Sequence, residues 1–171
     1  MKLFSEVADG SYRAFNAVVA GQVTCGKHAS FWFNAVVRGD VAPVTIGQRV
    51  NVQDNAVIHC DTGVPNVIED DVTIGHGAIV HGKFVGRGTL IGMGSTVLSR
   101  TVIGVECLIA AGCVVPPDLV VPDHHVVMGV PGKIVRPVKE EELKYMRWLI
   151  NHYVELAQQY VNGRFDGSAP R

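Results

Sequence analysis

The chain has 171 residues, 47% of them hydrophobic and 18% charged, with a formal net charge of −1. That length suits one domain with a terminal appendage, and the composition excludes a disordered chain. The near-neutral charge gives no basis for binding nucleic acid or an anionic membrane, and no stretch approaches the length of a membrane span. The first residues carry no apolar run of signal-peptide length, and Cys25, Cys60, Cys107 and Cys113 form no Cys-x-x-Cys pair. Reduced thiols in a cytoplasmic protein are the expectation.

Along the chain the dominant signal is a six-residue period of apolar positions: Val19, Cys25, Phe31 and Val37, then, after three extra residues, Ile46, Val52 and Ile58. Four extra residues precede Ile68, Ile74 and Val80, one step is short, and the run continues from Val85 through Ile91, Val97, Ile103, Ile109, Val115 and Val121 to Val127. Glycine often follows, as at Gly47, Gly75, Gly86, Gly92 and Gly104, and the fifth position is small or apolar, as at Ala56, Ala78, Ser95 and Cys113. Ordinary alternating strands have no reason to hold one phase of six, whereas a hexapeptide β-helix does. Each hexad gives a short strand and a corner, and three hexads close a triangular coil with the branched residue inside and coils about 4.8 Å apart.

The repeat stops after Val127 at a turn-rich exit, Met128 to Lys133. Glu140, Glu141 and Glu142 then suit a helix N-terminus, and Leu143, Met146, Ile150, Tyr153, Ala157 and Tyr160 form one apolar helical face. Gly163 ends that helix. The expected organisation is a β-helix over residues 1–137, a helix packed alongside over 138–163, and a flexible tail over 164–171.

The frame assigns faces to the histidines. His59 follows Ile58 and His81 follows Val80, one coil later, so the two stand one above the other on the same edge. His76 sits in the preceding hexad, toward another face, too far round to join the same ion from the same chain. A neighbouring prism can present its own His76, and three-fold closure of identical subunits uses every such half-site once. The spacing therefore points to a homotrimer with interfacial metals. Three imidazoles suit zinc, and also iron(II) or cobalt(II), with one position left for water. Scattered surface histidines are the competing reading. His28, His124, His125 and His152 fall outside the register.

Three segments carry a family resemblance: Asn34 to Asp40, Asn51 to Asn55 with Ile58-His59, and Thr73 to Gly82. The chain resembles the γ-class carbonic anhydrases over the whole β-helix and the following helix. The resemblance implies the left hand of the coil, against the usual right-handed crossover. It also implies that His59 and His81 come from one subunit and His76 from its neighbour, and that Arg38 pairs with Asp40 and Asp54 around the interface. Gln53 matches a residue that orients the attacking hydroxide, Asn51 lies beside it in the motif, and Tyr153 matches an aromatic residue of the terminal helix. Exposed ion pairing for Arg38, a structural polar ladder for Asn51 and Gln53, and simple packing for Tyr153 are the alternatives. The chain departs from the family at Val41, where active members carry Glu directly after Arg-Gly-Asp, and in lacking the acidic loop that bears a second proton-shuttling Glu, since only Cys60 to Val67 joins the two hexad runs.

The expected function is metal-dependent, reversible hydration of CO2 to bicarbonate, with turnover in question because Val41 replaces a proton-shuttling Glu. The same chemistry directed at an acyl-CoA thioester or small ester is the second reading. A hexapeptide acyltransferase, suggested by Gly129-Val130-Pro131-Gly132-Lys133, and a non-catalytic trimeric scaffold are further alternatives.

Overall fold

In the computed structural model, residues 2–167 are described, and they form a left-handed parallel β-helix capped and flanked by one helix. The first face stacks Tyr12–Ala14, Ser30–Phe31, Asn51–Val52, Thr73–Ile74, Leu90–Ile91, Leu108–Ile109 and His125–Gly129. The second face stacks Val57–Ile58, Ile79–Val80, Thr96–Val97 and Val114–Val115. The third stacks Asn66–Ile68, Phe84–Val85, Val102–Ile103 and Val120–Val121. The longer strands Val18–Cys25 and Val36–Ile46 bend round the corner between the second and third faces and join them by pairing.

The register follows the hexads: Ile58 lies over Val80, Ile74 over Ile91, and Ile103 over Val121. Phe31, Val52, Ile58, Ile74, Ile91, Ile103 and Ile109 are fully buried in one continuous column. Glycine is required at the corners for two reasons. At Gly86 a Cβ would stand 2.6 Å from the Gly104 carbonyl carbon in the next coil, so only hydrogen permits stacking. At the corner between first and second faces, Asn34, Asn55, Gly77, Gly94 and Gly112 all have positive φ. Asn16, Asn34 and Asn55 hydrogen-bond there as a ladder, which is how two asparagines hold a conformation that favours glycine.

The turn-rich exit contains more order than its sequence suggests. His125–Gly129 and Gly132–Pro137 pair antiparallel around Val130-Pro131, closing the last coil. The helix spans Glu140–Val161, with Glu142 accepting the Lys139 backbone N–H at 2.8 Å. Met146, Ile150 and Ala157 are buried against the first face, as the apolar face requires. Its second half is held by an aromatic cluster: Phe4 packs 4.8 Å from Trp32 and 5.1 Å from Tyr160. Beyond the helix, residues 164–167 form turns in which Asp166 accepts the Leu3 N–H. The remainder of the expected tail, 168–171, lies outside the described residues.

Arg136 grips Glu142 through both guanidinium nitrogens, at 2.8 and 2.7 Å, and ties the exit strand to the helix start. That guanidinium, with the Lys139 N–H, overrides desolvation and holds the Glu142 carboxyl down at about 2. A depressed folded-state pKa stabilises the fold above the unfolded value and loses that contribution as pH falls through the folded one. Thermal midpoints of metal-free protein are expected to drop from about pH 4.5 toward pH 2 more steeply than those of Glu142→Gln. Parallel curves for the two proteins contradict this.

Candidate metal centre

His59 and His81 leave the ends of successive second-face strands at the corner shared with the third face. Their ring centroids are 5.3 Å apart, a separation set by coil stacking. Carboxylates meet both rings: Asp40 Oδ1 lies 2.9 Å from His59 Nε2, and Asp61 Oδ1 lies 3.0 Å from His81 Nε2. Both carboxylates come from interruptions of the hexad count. The extra residues after Val37 appear as a register shift against Val18–Cys25 and carry Asp40 outward. The extra residues after Ile58 carry Asp61, which also accepts from Ser99 Oγ at 3.2 Å. Asn66, at the start of the third-face strand that follows, donates to the His59 carbonyl at 2.9 Å.

The imidazole of His59 lowers the Asp40 pKa, with a further contribution from Arg38, and the imidazole of His81 lowers that of Asp61. Asp61 Oδ2 is buried without a hydrogen bond among the described residues, with the Arg100 guanidinium 4.0 Å away. Two imidazoles at one corner, each held by a carboxylate, offer two nitrogen donors that suit a borderline divalent cation and leave a third ligand to come from elsewhere. Asp61 and Ser99 escaped sequence reasoning. The signal available was an Asp two residues beyond His59, inside an insertion.

His76 occupies the opposite edge of the second face, at the corner with the first, between Gly75 and the positive-φ Gly77. Its side chain is 44% exposed, and its Nδ1 is 2.8 Å from Asp54 Oδ2. Among the described residues, no group of three His, Cys, Asp or Glu side chains in one chain could hold an ion, so His76 does not join His59 and His81 within the chain. Arg38 bonds Asp40 on the same strand, while Asp54 is engaged by His76. The pairing of Arg38 with both carboxylates is thus half present within one chain.

Gln53 is buried beside His76. Its Oε1 accepts the His76 backbone N–H at 3.1 Å, and its Nε2 donates to Asn51 Oδ1 at 3.0 Å. Asn51 in turn donates to Thr73 Oγ1 at 2.8 Å, so Asn51 holds the amide of Gln53. From the helix, the Tyr153 hydroxyl reaches to 3.4 Å from His76 Nε2, and Trp32 packs edge-on against its ring at 5.2 Å. Burial pushes the Tyr153 phenol up to about 12, keeping it a hydrogen-bond donor at neutral pH. Val41 lies on the bent strand, 40% exposed. Off-register His28 bonds the Tyr12 hydroxyl, and His125 bonds the Asp123 carbonyl, both away from this corner.

The coils and their register define a hexapeptide-repeat protein of the left-handed β-helix class. A hexapeptide transferase family protein from Anaplasma phagocytophilum superimposes with a TM-score of 0.77 at 33% identity, covering 93% of this chain and 98% of that one. A Methanocaldococcus jannaschii protein described as a probable carbonic anhydrase is 50% identical over 145 residues, 85% of this chain and 91% of the relative. The mitochondrial gamma carbonic anhydrase 3 of Arabidopsis thaliana is 46% identical over 161 residues, 91% of this chain and 62% of the relative. No family model matches. The chain belongs to the γ-class carbonic anhydrase family.

Proposed function

We propose that this protein is a trimeric γ-type carbonic anhydrase that interconverts CO2 and bicarbonate. Each centre takes His59 and His81 from one subunit and the partner subunit's His76. The observation that carries the reading is the stacked pair at 5.3 Å, with His76 on the other edge of the same face. Placing each chain's His76 corner against the next chain's His59 and His81 corner turns the second face toward the three-fold axis. The outward row of that face is Val18, Val36, Val57, Ile79, Thr96 and Val114, a stripe without charge; Val18 and Ile79 are more than 40% exposed in one chain. Burying this stripe supplies a hydrophobic drive for association.

The donor set suits zinc, with iron(II) or cobalt(II) as alternatives. A bound divalent ion supplies hydroxide at neutral pH by bringing the pKa of water toward ~7. Gln53, fixed by Asn51 and the His76 amide, retains an N–H beside His76 to orient the reacting oxygen, and the Tyr153 hydroxyl borders the same space. Asp54 holds Nδ1 of His76, which leaves Nε2 as the ligating nitrogen. Arg38 fixes Asp40 against His59. Among the described residues, no helix is long and apolar enough to cross a membrane, and the four free cysteines suit the cytoplasm as the site of action. Stopped-flow CO2 hydration by anaerobically metal-loaded protein tests the proposal: catalysis that disappears on stripping supports it, and equal rates in loaded and stripped protein reject it.

Val41 gives a second handle. With no carboxylate at that position, the proton leaves through solvent buffer, so the rate rises with imidazole concentration. Val41→Glu is expected to raise turnover in weak buffer by about tenfold or more and to flatten the buffer dependence. A rate unchanged at every buffer concentration excludes proton transfer as the slow step.

A further inference from the structure

A cleft of about 460 Å³ opens beside His76, between the first face and the terminal helix. Its two ends differ in chemistry, one lined by Gln53, His76 and Tyr153 and the other by leucines of the first face and the helix. On the first face the outward position in the early coils is Ser30, Asn51 and Thr73, buried, polar and outside the cleft lining. In the later coils it is Leu90 and Leu108, which line the cleft opposite Leu149 and Tyr145 of the helix. The polar end holds His76, Gln53 and the Tyr153 hydroxyl. A cavity of this size lies in the range of about 300–1,000 Å³ that holds organic ligands, whereas CO2 has no chain to place there.

We propose that this cleft binds the apolar chain of an acyl compound, with its carboxylate or carbonyl end at His76 and Tyr153. Leucine side chains on both walls accept a hydrocarbon; a sugar or nucleotide would leave hydroxyls unpaired against them. At the other end the Tyr153 O–H and the remaining Gln53 N–H are donors, and the neighbouring cation proposed above favours a negative or polarised oxygen. A carboxyl-derived group meets both demands, and an amine head meets neither. The orientation of the ligand rests on the metal-centre reading; the cleft itself is formed by one chain.

Calorimetric titration of the trimer with acetate, butyrate, hexanoate and octanoate tests the proposal, with zinc content measured on the same samples. Affinity is expected to rise by about fourfold per methylene until the cleft is filled. Leu149→Trp from the helix side and Leu108→Trp from the sheet side each fill the space, and either is expected to abolish the length dependence while acetate binding persists. Tyr153→Phe is expected to weaken every acid by a similar factor. Length dependence that survives in zinc-free protein supports the cleft whatever becomes of the metal centre. Zinc binding without length dependence, or length dependence unchanged in folded tryptophan variants, overturns the proposal and leaves the metal centre standing.

Discussion

His81→Ala is expected to lose bound metal and more than about a hundredfold of CO2 hydration, since the loss exceeds that of removing an outer hydrogen-bond partner. Only His59 and the partner subunit's His76 would remain, and two ligands fall short of the three protein ligands usual in a catalytic zinc site. The substitution leaves the interior intact, because Val80 points into the column and His81 follows it outside. It does weaken the hold on Asp61, whose Oδ1 would keep Ser99 and whose Oδ2 has the Arg100 guanidinium at 4.0 Å but no hydrogen bond among the described residues. A modest loss of stability is expected alongside the large loss of metal. His125→Ala, whose ring bonds the Asp123 carbonyl away from the centre, is expected to match the parent in both. Metal analysis and stopped-flow rates on the three proteins check this. Full metal occupancy in His81→Ala contradicts it.

Stripping the metal is the second large effect. An ion that bridges two subunits binds only the assembled state, so it stabilises the trimer by mass action. At free metal a thousandfold above Kd that contribution is about 4 kcal/mol per site. Chelation is expected to lower the thermal midpoint and to make it depend on protein concentration, as association then rests on the apolar stripe of the second face. Sedimentation and melting curves with and without chelator measure both. Melting unaffected by chelation places the ion away from the subunit contact.

The fold was largely legible because its period is set by close packing: one branched residue per hexad must point inward, and the sequence repeats that demand from Phe31 to Val127. The stacking of His59 on His81 followed from the same count. What escaped were contacts that no period controls. The two insertions looked like interruptions, yet each delivers a carboxylate, Asp40 or Asp61, to a histidine. Asp61 and Ser99 lie 38 residues apart, and nothing local links them. Trp32 steers Tyr153 through a packing contact between the early coils and the terminal helix, which is also invisible to pattern reading. The hairpin after Val127 hid behind glycine and proline, which mark a turn without saying what pairs across it. Asp54 meets His76 in the single chain, where the family resemblance implied Arg38, since an intersubunit pairing has no expression within one chain.

Two chains are proposed to build each centre, and mixed trimers separate this from a site held within one chain. His76→Ala keeps the stacked pair, and His81→Ala keeps the third ligand, so neither homotrimer assembles a complete site. Reassembled as an equal mixture, about a quarter of the sites join an intact pair from one chain to an intact His76 of its neighbour. Metal content and CO2 hydration are predicted to recover to about that fraction of the parent values. A mixture that remains as empty and inactive as its components, despite proven subunit exchange, would contradict the account.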